Sequence, residues 1–138
     1  MLMRLHSCMH MLCAVFPAPV TGGSIRDAGS ARLDFDLPEP PDKEALNEQL
    51  NVLTASDHPM RLQWITDAEL DAQPELVRTM SVQPPRGAGR VRLVDFEGVD
   101  LQPCGGTHVA NSREIGKVLI QSIKKKGKQN RRITVALA

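Results

Sequence analysis

The stretch RVRLVDFEGVDLQPCGGTHVANSREIGKVLIQSIKKKGKQNRRITVAL (90–137) decides how this chain folds. VRLVDF (91–96) reads as a strand that follows the turn-rich loop QPPRGAG (83–89). Two more β-patterned runs, near 117–124 and 131–137, flank KKKGKQN and read as a hairpin. Between the strand and the hairpin, Pro103, Gly105 and Gly106 surround Cys104. They mark an irregular loop in which backbone can approach a ligand closely. Cys104 and His108 stand four residues apart within it, in CGGTH.

The same spacing recurs at the other end of the chain, where HSCMH (6–10) carries His6 and His10. His6 to Phe16 reads as a buried helix stopped by Pro17 and Pro19, and residues four apart share one helix face. An isolated H-x-x-x-H is more often a pair of packed or surface histidines than a ligand pair. Ser7 stands where a metalloprotease helix would carry its glutamate, so that chemistry is excluded. Taken with Cys104 and His108, however, the pair makes a His3Cys set that suits a borderline-soft ion such as zinc.

The rest of the chain alternates helix and strand signals. TGGSIRDAGSARLDFDL (21–37) reads as a hairpin punctuated by Gly22 and Gly23. Asp42 is an N-cap for a helix running to about Thr54, with Ala45, Leu46, Leu50 and Leu53 as its apolar stripe. Met60 to Ile65 is a short strand, and Thr66 or Asp67 caps a weaker helix broken near Pro74. The expected class is α+β: a mainly antiparallel sheet packed with helices, forming one domain over 1–138. The metal site would lie between the N-terminal helix and the C-terminal loop.

Composition narrows the function. Three cysteines in 138 residues argue for a reducing, cytoplasmic setting, with Cys8 and Cys13 packed as small apolar residues. MHMLCAVF (9–16) is too short to span a bilayer, and no phosphate-binding glycine motif points to a nucleotide cofactor. Charge is unevenly spread. Residues 1–110 carry nine Lys/Arg against fifteen Asp/Glu, whereas residues 111–138 carry eight against one. Lys124, Lys125, Lys126, Lys128, Arg131 and Arg132 form a basic patch that would attract a phosphate backbone. A solvated hairpin tip is the plainer alternative. Three Phe, one Trp and no Tyr leave too little aromatic surface for a base-stacking platform.

QPCGGTH (102–108), REIG (113–116) and NRRI (130–133) closely resemble the editing domain of alanyl-tRNA synthetase and the free-standing alanyl-tRNA editing proteins. RLHSCMHML (4–12), VTGGSI (20–25) and ARLDFDLP (31–38) resemble that domain's first half, so the likeness spans nearly the whole chain. The resemblance implies zinc held by His6, His10, Cys104 and His108. It implies a hydrolase that deacylates mischarged tRNA(Ala), with serine the first-choice amino acid and glycine second, because a synthetic pocket rejects such near-isosteres poorly. No synthetase module accompanies it, so the action would be in trans, without ATP, by a monomer or weak homodimer. Many longer relatives carry a small β-barrel before the first helix. His6 is the sixth residue here, so either this is a compact member or its beginning is missing. Without that part, tRNA selectivity would be affected more than the metal site. A threonyl-tRNA-type editing hydrolase and a non-catalytic zinc-stabilised RNA-binding module are the alternatives.

Within that reading, Gly105 and Gly106 either offer backbone N–H groups to an oxyanion or simply turn the loop. Gln102 either projects beside the metal to hydrogen-bond the substrate or is a loop surface residue. Thr21 and Thr107 offer hydroxyls to a serine side chain, Thr21 the better placed. Four protein ligands would close a tetrahedral site, so Cys104 or His108 is expected to be exchangeable. Asp34, Asp36 and Asp100 read as solvated carboxylates.

Overall fold

The computed structural model describes residues 2–16, 18, 20–26, 29–37, 39–73, 90–104, 107–125, 127 and 130–138. Its elements are α1 (Leu2–Val15), β1 (Val20–Arg26), β2 (Ser30–Asp36), α2 (Lys43–Ala55), β3 (Met60–Thr66) and α3 (Asp67–Asp71). There follow β4 (Arg90–Phe96), β5 (Asp100–Pro103), a 3-10 turn (Ser112–Ile115), β6 (Val118–Lys125) and β7 (Asn130–Leu137). The strands form two antiparallel sheets, ordered β1-β2-β7-β6 and β3-β4-β5. The expected α+β class is what forms. The loop expected at 83–89 and the break at Pro74 lie outside the described residues.

α1 forms because Leu5, Cys8, Met11 and Leu12 recur at helical spacing, and all four are fully buried. They pack on the inner face of the four-stranded sheet, against Leu33, Phe35, Ile133 and Val135. The hairpin expected over 21–37 forms as β1 and β2, with Gly22 and Gly23 inside β1. A Cβ on Gly23 would stand 2.8 Å from Leu33 Cδ2 and 3.1 Å from Met9 Cε, so a larger residue there would make those two side-chain ends shift. Cys8 and Cys13 are buried free thiols, and burial pushes the Cys8 thiol up to about 12, which leaves it unreactive.

α2 is capped by Asp42, whose carboxylate accepts from Glu44 N at 3.0 Å and Ala45 N at 3.3 Å. Its apolar face buries Leu46 and Leu50. Its polar side reaches β6: Asn47 Oδ1 accepts from Ile120 N at 2.9 Å, and Asn51 Oδ1 from Val118 N at 3.0 Å. Asn51 Nδ2 also donates to Val118 O at 2.9 Å.

The smaller sheet has two faces with different neighbours. Val94 and Phe96 turn into the main core beside α1, whereas Val91 and Leu93 turn to the other side and bury Leu70 of α3. β5 and the 3-10 turn were not anticipated. β5 has only four residues and ends in proline, too little for an alternation to show. The 3-10 turn is fixed by a reciprocal cap: Arg113 N donates to Asn111 Oδ1 at 3.0 Å, and Asn111 N to Glu114 Oε2 at 2.9 Å. Arg4 of α1 donates twice to Ile115 O, at 2.9 and 2.8 Å, tying the helix to that turn.

Candidate metal centre

Helical spacing puts His6 and His10 on one face of α1, and the chain leaving β5 brings Cys104 and His108 against it. The four possible ligand atoms all lie within 4.8 Å of one another. His10 Nε2 and His108 Nε2 are 2.8 Å apart, and Cys104 Sγ is 3.4 Å from His6 Nε2. His10 and His108 are buried at 4 % and 8 % exposure, while His6 and Cys104 are half-buried.

A second layer orients the rings. His10 Nδ1 is 2.7 Å from Asp100 Oδ2, and His6 Nδ1 is 3.1 Å from Thr107 O. Each of these bonds places an N–H on Nδ1 and leaves Nε2 turned toward the other ligand atoms, the arrangement in which an imidazole binds a metal. Gln102 Nε2 lies 2.8 Å from Asp100 Oδ2 and 3.2 Å from His10 Nδ1. With His10 Nδ1 already donating, Gln102 gives its hydrogen to the carboxylate. Asp100 is thus no solvated carboxylate: it is buried and accepts from two neighbours. Phe96 closes the floor, its ring centroid 5.7 Å from that of His10 and 6.1 Å from that of His108.

The loop is anchored by two residues that sequence reasoning passed over as site members. Ser7, fully buried, accepts from Val109 N at 3.0 Å, so the position where a metalloprotease has its base here holds the backbone beside His108. Arg92 Nε donates to Cys104 O at 3.0 Å, and Cys104 N donates to Arg92 O at 3.2 Å.

Electrostatics favour one shared proton in the free quartet. Burial opposes a cation at His10, but the bonds with Asp100 and Cys104 outweigh it and hold the pKa up at about 9. His108 is pushed down by burial and by the neighbouring His10 and His6. Only one of the two facing Nε2 atoms, 2.8 Å apart, can hold the hydrogen between them, so the pair divides the roles of donor and acceptor. Both lone pairs become free for a cation once that proton leaves.

Next to the quartet lies a cleft of about 170 Å³ lined by His6, Met9, His10, Cys13, Val20, Leu33, Gln102, Pro103 and Cys104. Gln102 lines this cleft, with its Nε2 3.2 Å from His10 Nδ1. Gly105 and Gly106 lie outside the described residues. Thr107 contributes its carbonyl to His6. Thr21 does not line the cleft: it is the extra residue of a β-bulge, and its hydroxyl donates to Asn130 Oδ1 at 3.1 Å, across β2.

The basic patch is divided by the fold. Lys124 and Lys125 are exposed, and Lys126 and Lys128 lie outside the described residues. Arg131 is buried at 8 % exposure, because its strand position turns it to the face carrying Ile133 and Val135. Arg132 donates to both carboxylate oxygens of Asp34, at 3.0 and 3.2 Å, and Asp34 also receives Arg32 at 3.0 Å. Asp34 is therefore an ion-pair partner, and among the described cations of the patch only Lys124 and Lys125 are exposed.

Residues 91–134 match the family described as the threonyl and alanyl tRNA synthetase second additional domain. Over that stretch, about a third of its length, the chain is similar to that family. It is 31% identical over 141 residues to the alanyl-tRNA editing protein AlaX-M of Methanosarcina acetivorans, covering 98% of this chain and 57% of that protein. The AlaX-M of Methanosarcina barkeri is 33% identical over 141 residues, covering 98% of this chain and 58% of the relative. An alanine–tRNA ligase from a Nostoc species is 33% identical over 120 residues, 80% of this chain but 13% of the ligase. The chain therefore spans a little over half the length of the editing proteins it matches. Among the described residues, no helix is long and apolar enough to cross a membrane.

Proposed function

We propose that this chain, acting as one editing unit over residues 1–138, is a zinc-dependent hydrolase that deacylates mischarged tRNA(Ala) in trans. Serine would be the first amino acid removed and glycine the second. The observation that carries the reading is the His6, His10, Cys104 and His108 quartet, its rings oriented by Asp100 and Thr107, beside a cleft of amino-acid size. The donor set fits zinc: three imidazole nitrogens and a sulfur, with the lone pairs turned inward. When bound, zinc would supply a polarised carbonyl and an acidified water, or a seat for the substrate amino group.

The chain's own residues do the selecting. Met9, Cys13, Val20 and Leu33 give the cleft an apolar wall that admits a small side chain, and its volume of about 170 Å³ leaves little room for a large one. Gln102 lines the cleft beside the quartet with its amide held by Asp100, which supports it as the polar group that would meet the ester or a serine hydroxyl. Of the two ligands expected to be exchangeable, Cys104 lines the cleft and His108 is buried, which favours Cys104 as the one that yields. A closed, purely structural centre would not need its Cys104 side open to a cleft. The same cleft supports this reading over a non-catalytic RNA-binding module.

One assay tests the proposal: release of amino acid from Ser-, Gly- and Ala-tRNA(Ala), with zinc content measured on the same preparation. Serine release ahead of glycine, with alanine spared and activity lost to a chelator, is the expected result. Equal, chelator-insensitive rates on all three would overturn it.

A further inference from the structure

The chain's single tryptophan lies on the site-bearing face of the smaller sheet. β3 pairs with β4 so that Trp64 stands opposite Arg92 and Thr66 opposite Arg90. Side chains of neighbouring strands in register share a face, so Trp64, Arg92 and Arg90 form one cluster. The same face carries Phe96, Asp100 and Gln102, the residues that support the quartet. Arg92 is also bonded to Cys104 through Cys104 O and Cys104 N. The row thus runs Trp64, Arg92, Cys104, about 10 Å in all at two strand spacings. α3 packs on the opposite face and does not cover it. Trp64 is 60% exposed and Arg90 is exposed, an uncommon position for an indole in a chain with so few aromatic residues.

We infer that Trp64, flanked by Arg90 and Arg92, is the seat on which a base of the tRNA's unpaired 3′ end stacks while the ester lies at the quartet. The inference rests on the editing reading above and deepens it by naming how the reactive end is held. An indole face is sequence-tolerant toward any base, and the two guanidinium groups beside it on β4 answer the phosphates that join such bases. The separation from Cys104 matches the reach from an ester on a terminal ribose to a base of the same or the preceding nucleotide. A protein partner or a second copy of this chain would find an indole bordered by two like charges, which favours the nucleic acid. The sparse aromatic content read from the sequence excluded a platform of many rings; the fold needs one ring.

Because Trp64 is the only tryptophan, its fluorescence reports on this surface without a label. Wild-type protein is titrated with uncharged tRNA(Ala) and with a single-stranded RNA hexamer ending in the tRNA terminal CCA. Saturable quenching by both is expected. In deacylation, Trp64→Ala should raise KM on the order of tenfold, with kcat falling far less, and Trp64→Phe should restore most of the loss. Unchanged KM in Trp64→Ala, or fluorescence silent at saturating tRNA, would overturn the inference. So would a spectral shift that follows protein concentration without RNA, which would assign the face to a second copy. A wild-type chain that quenches with RNA but releases no amino acid would instead refute the editing reading and leave the stacking seat standing.

Discussion

His10 and His108 are buried and face each other at 2.8 Å, with Asp100 and Gln102 behind His10, whereas His6 and Cys104 are half-buried at 3.4 Å on the cleft. One half of the quartet is fixed in the interior, and the other opens onto the cleft. The fixed half takes its rigidity from a carboxylate on β5 and from Phe96. Among the described bonds, backbone carbonyls tether the open half: Thr107 O accepts from His6, and Cys104 O accepts from Arg92 Nε. A binding site that must also react needs both kinds of support, because tightening all four positions would leave nowhere for a substrate atom to enter.

The hardest test of this contrast removes the fixed half. His10→Ala is expected to abolish deacylation and zinc retention while leaving a folded protein by circular dichroism, since α1 keeps Leu5, Cys8, Met11 and Leu12 in the core. Activity at wild-type level in metal-free His10→Ala protein would break the contrast outright. Next comes the support behind it. Asp100→Asn preserves shape but removes the charge that orients His10, so zinc affinity should fall by roughly 10- to 100-fold, read by competition with a chromogenic chelator. A loss as large as that of His10→Ala would mean the carboxylate is itself a ligand.

On the open side, Cys104→Ser should cost less zinc affinity than His10→Ala, and the ratio of the two losses measures how unequal the halves are. The smallest effect is expected far from the quartet. Lys124→Gln with Lys125→Gln should weaken tRNA binding modestly. The slope of log K against log salt should flatten by roughly 0.7–0.9 for each phosphate that is no longer neutralised. Kcat should hold, and zinc content should not change. Arg131 is left out of that test because it is buried, and its replacement would be read as a packing defect.

The four quartet positions were legible in the sequence because spacing carries them: four residues apart means one helix face, and proline with glycine marks a loop. The helices and long strands were legible for the same kind of reason, a period visible in apolar residues. Asp100 was not, although the signal was there. Asp100, Gln102 and Cys104 alternate, and had β5 been recognised, all three would have been placed on one face. Arg131 illustrates the opposite error, since a run of cations looks uniform until strand alternation sends every second one inward. Thr21 was displaced by a bulge, which shifts side-chain direction without altering composition.

β6 borders its sheet on one side only, and a strand so placed ordinarily offers free rungs to any extended chain it meets. Asn47 and Asn51 occupy those rungs at Val118 and Ile120, using side-chain amides as surrogates for a neighbouring backbone. The helix thereby ends the sheet without extending it, and the exposed Leu119 is kept from becoming the centre of a sticky seam. Replacing both asparagines with alanine would reopen a templating surface, and light scattering would register the chain's drift from solution toward fibrous or amorphous assembly.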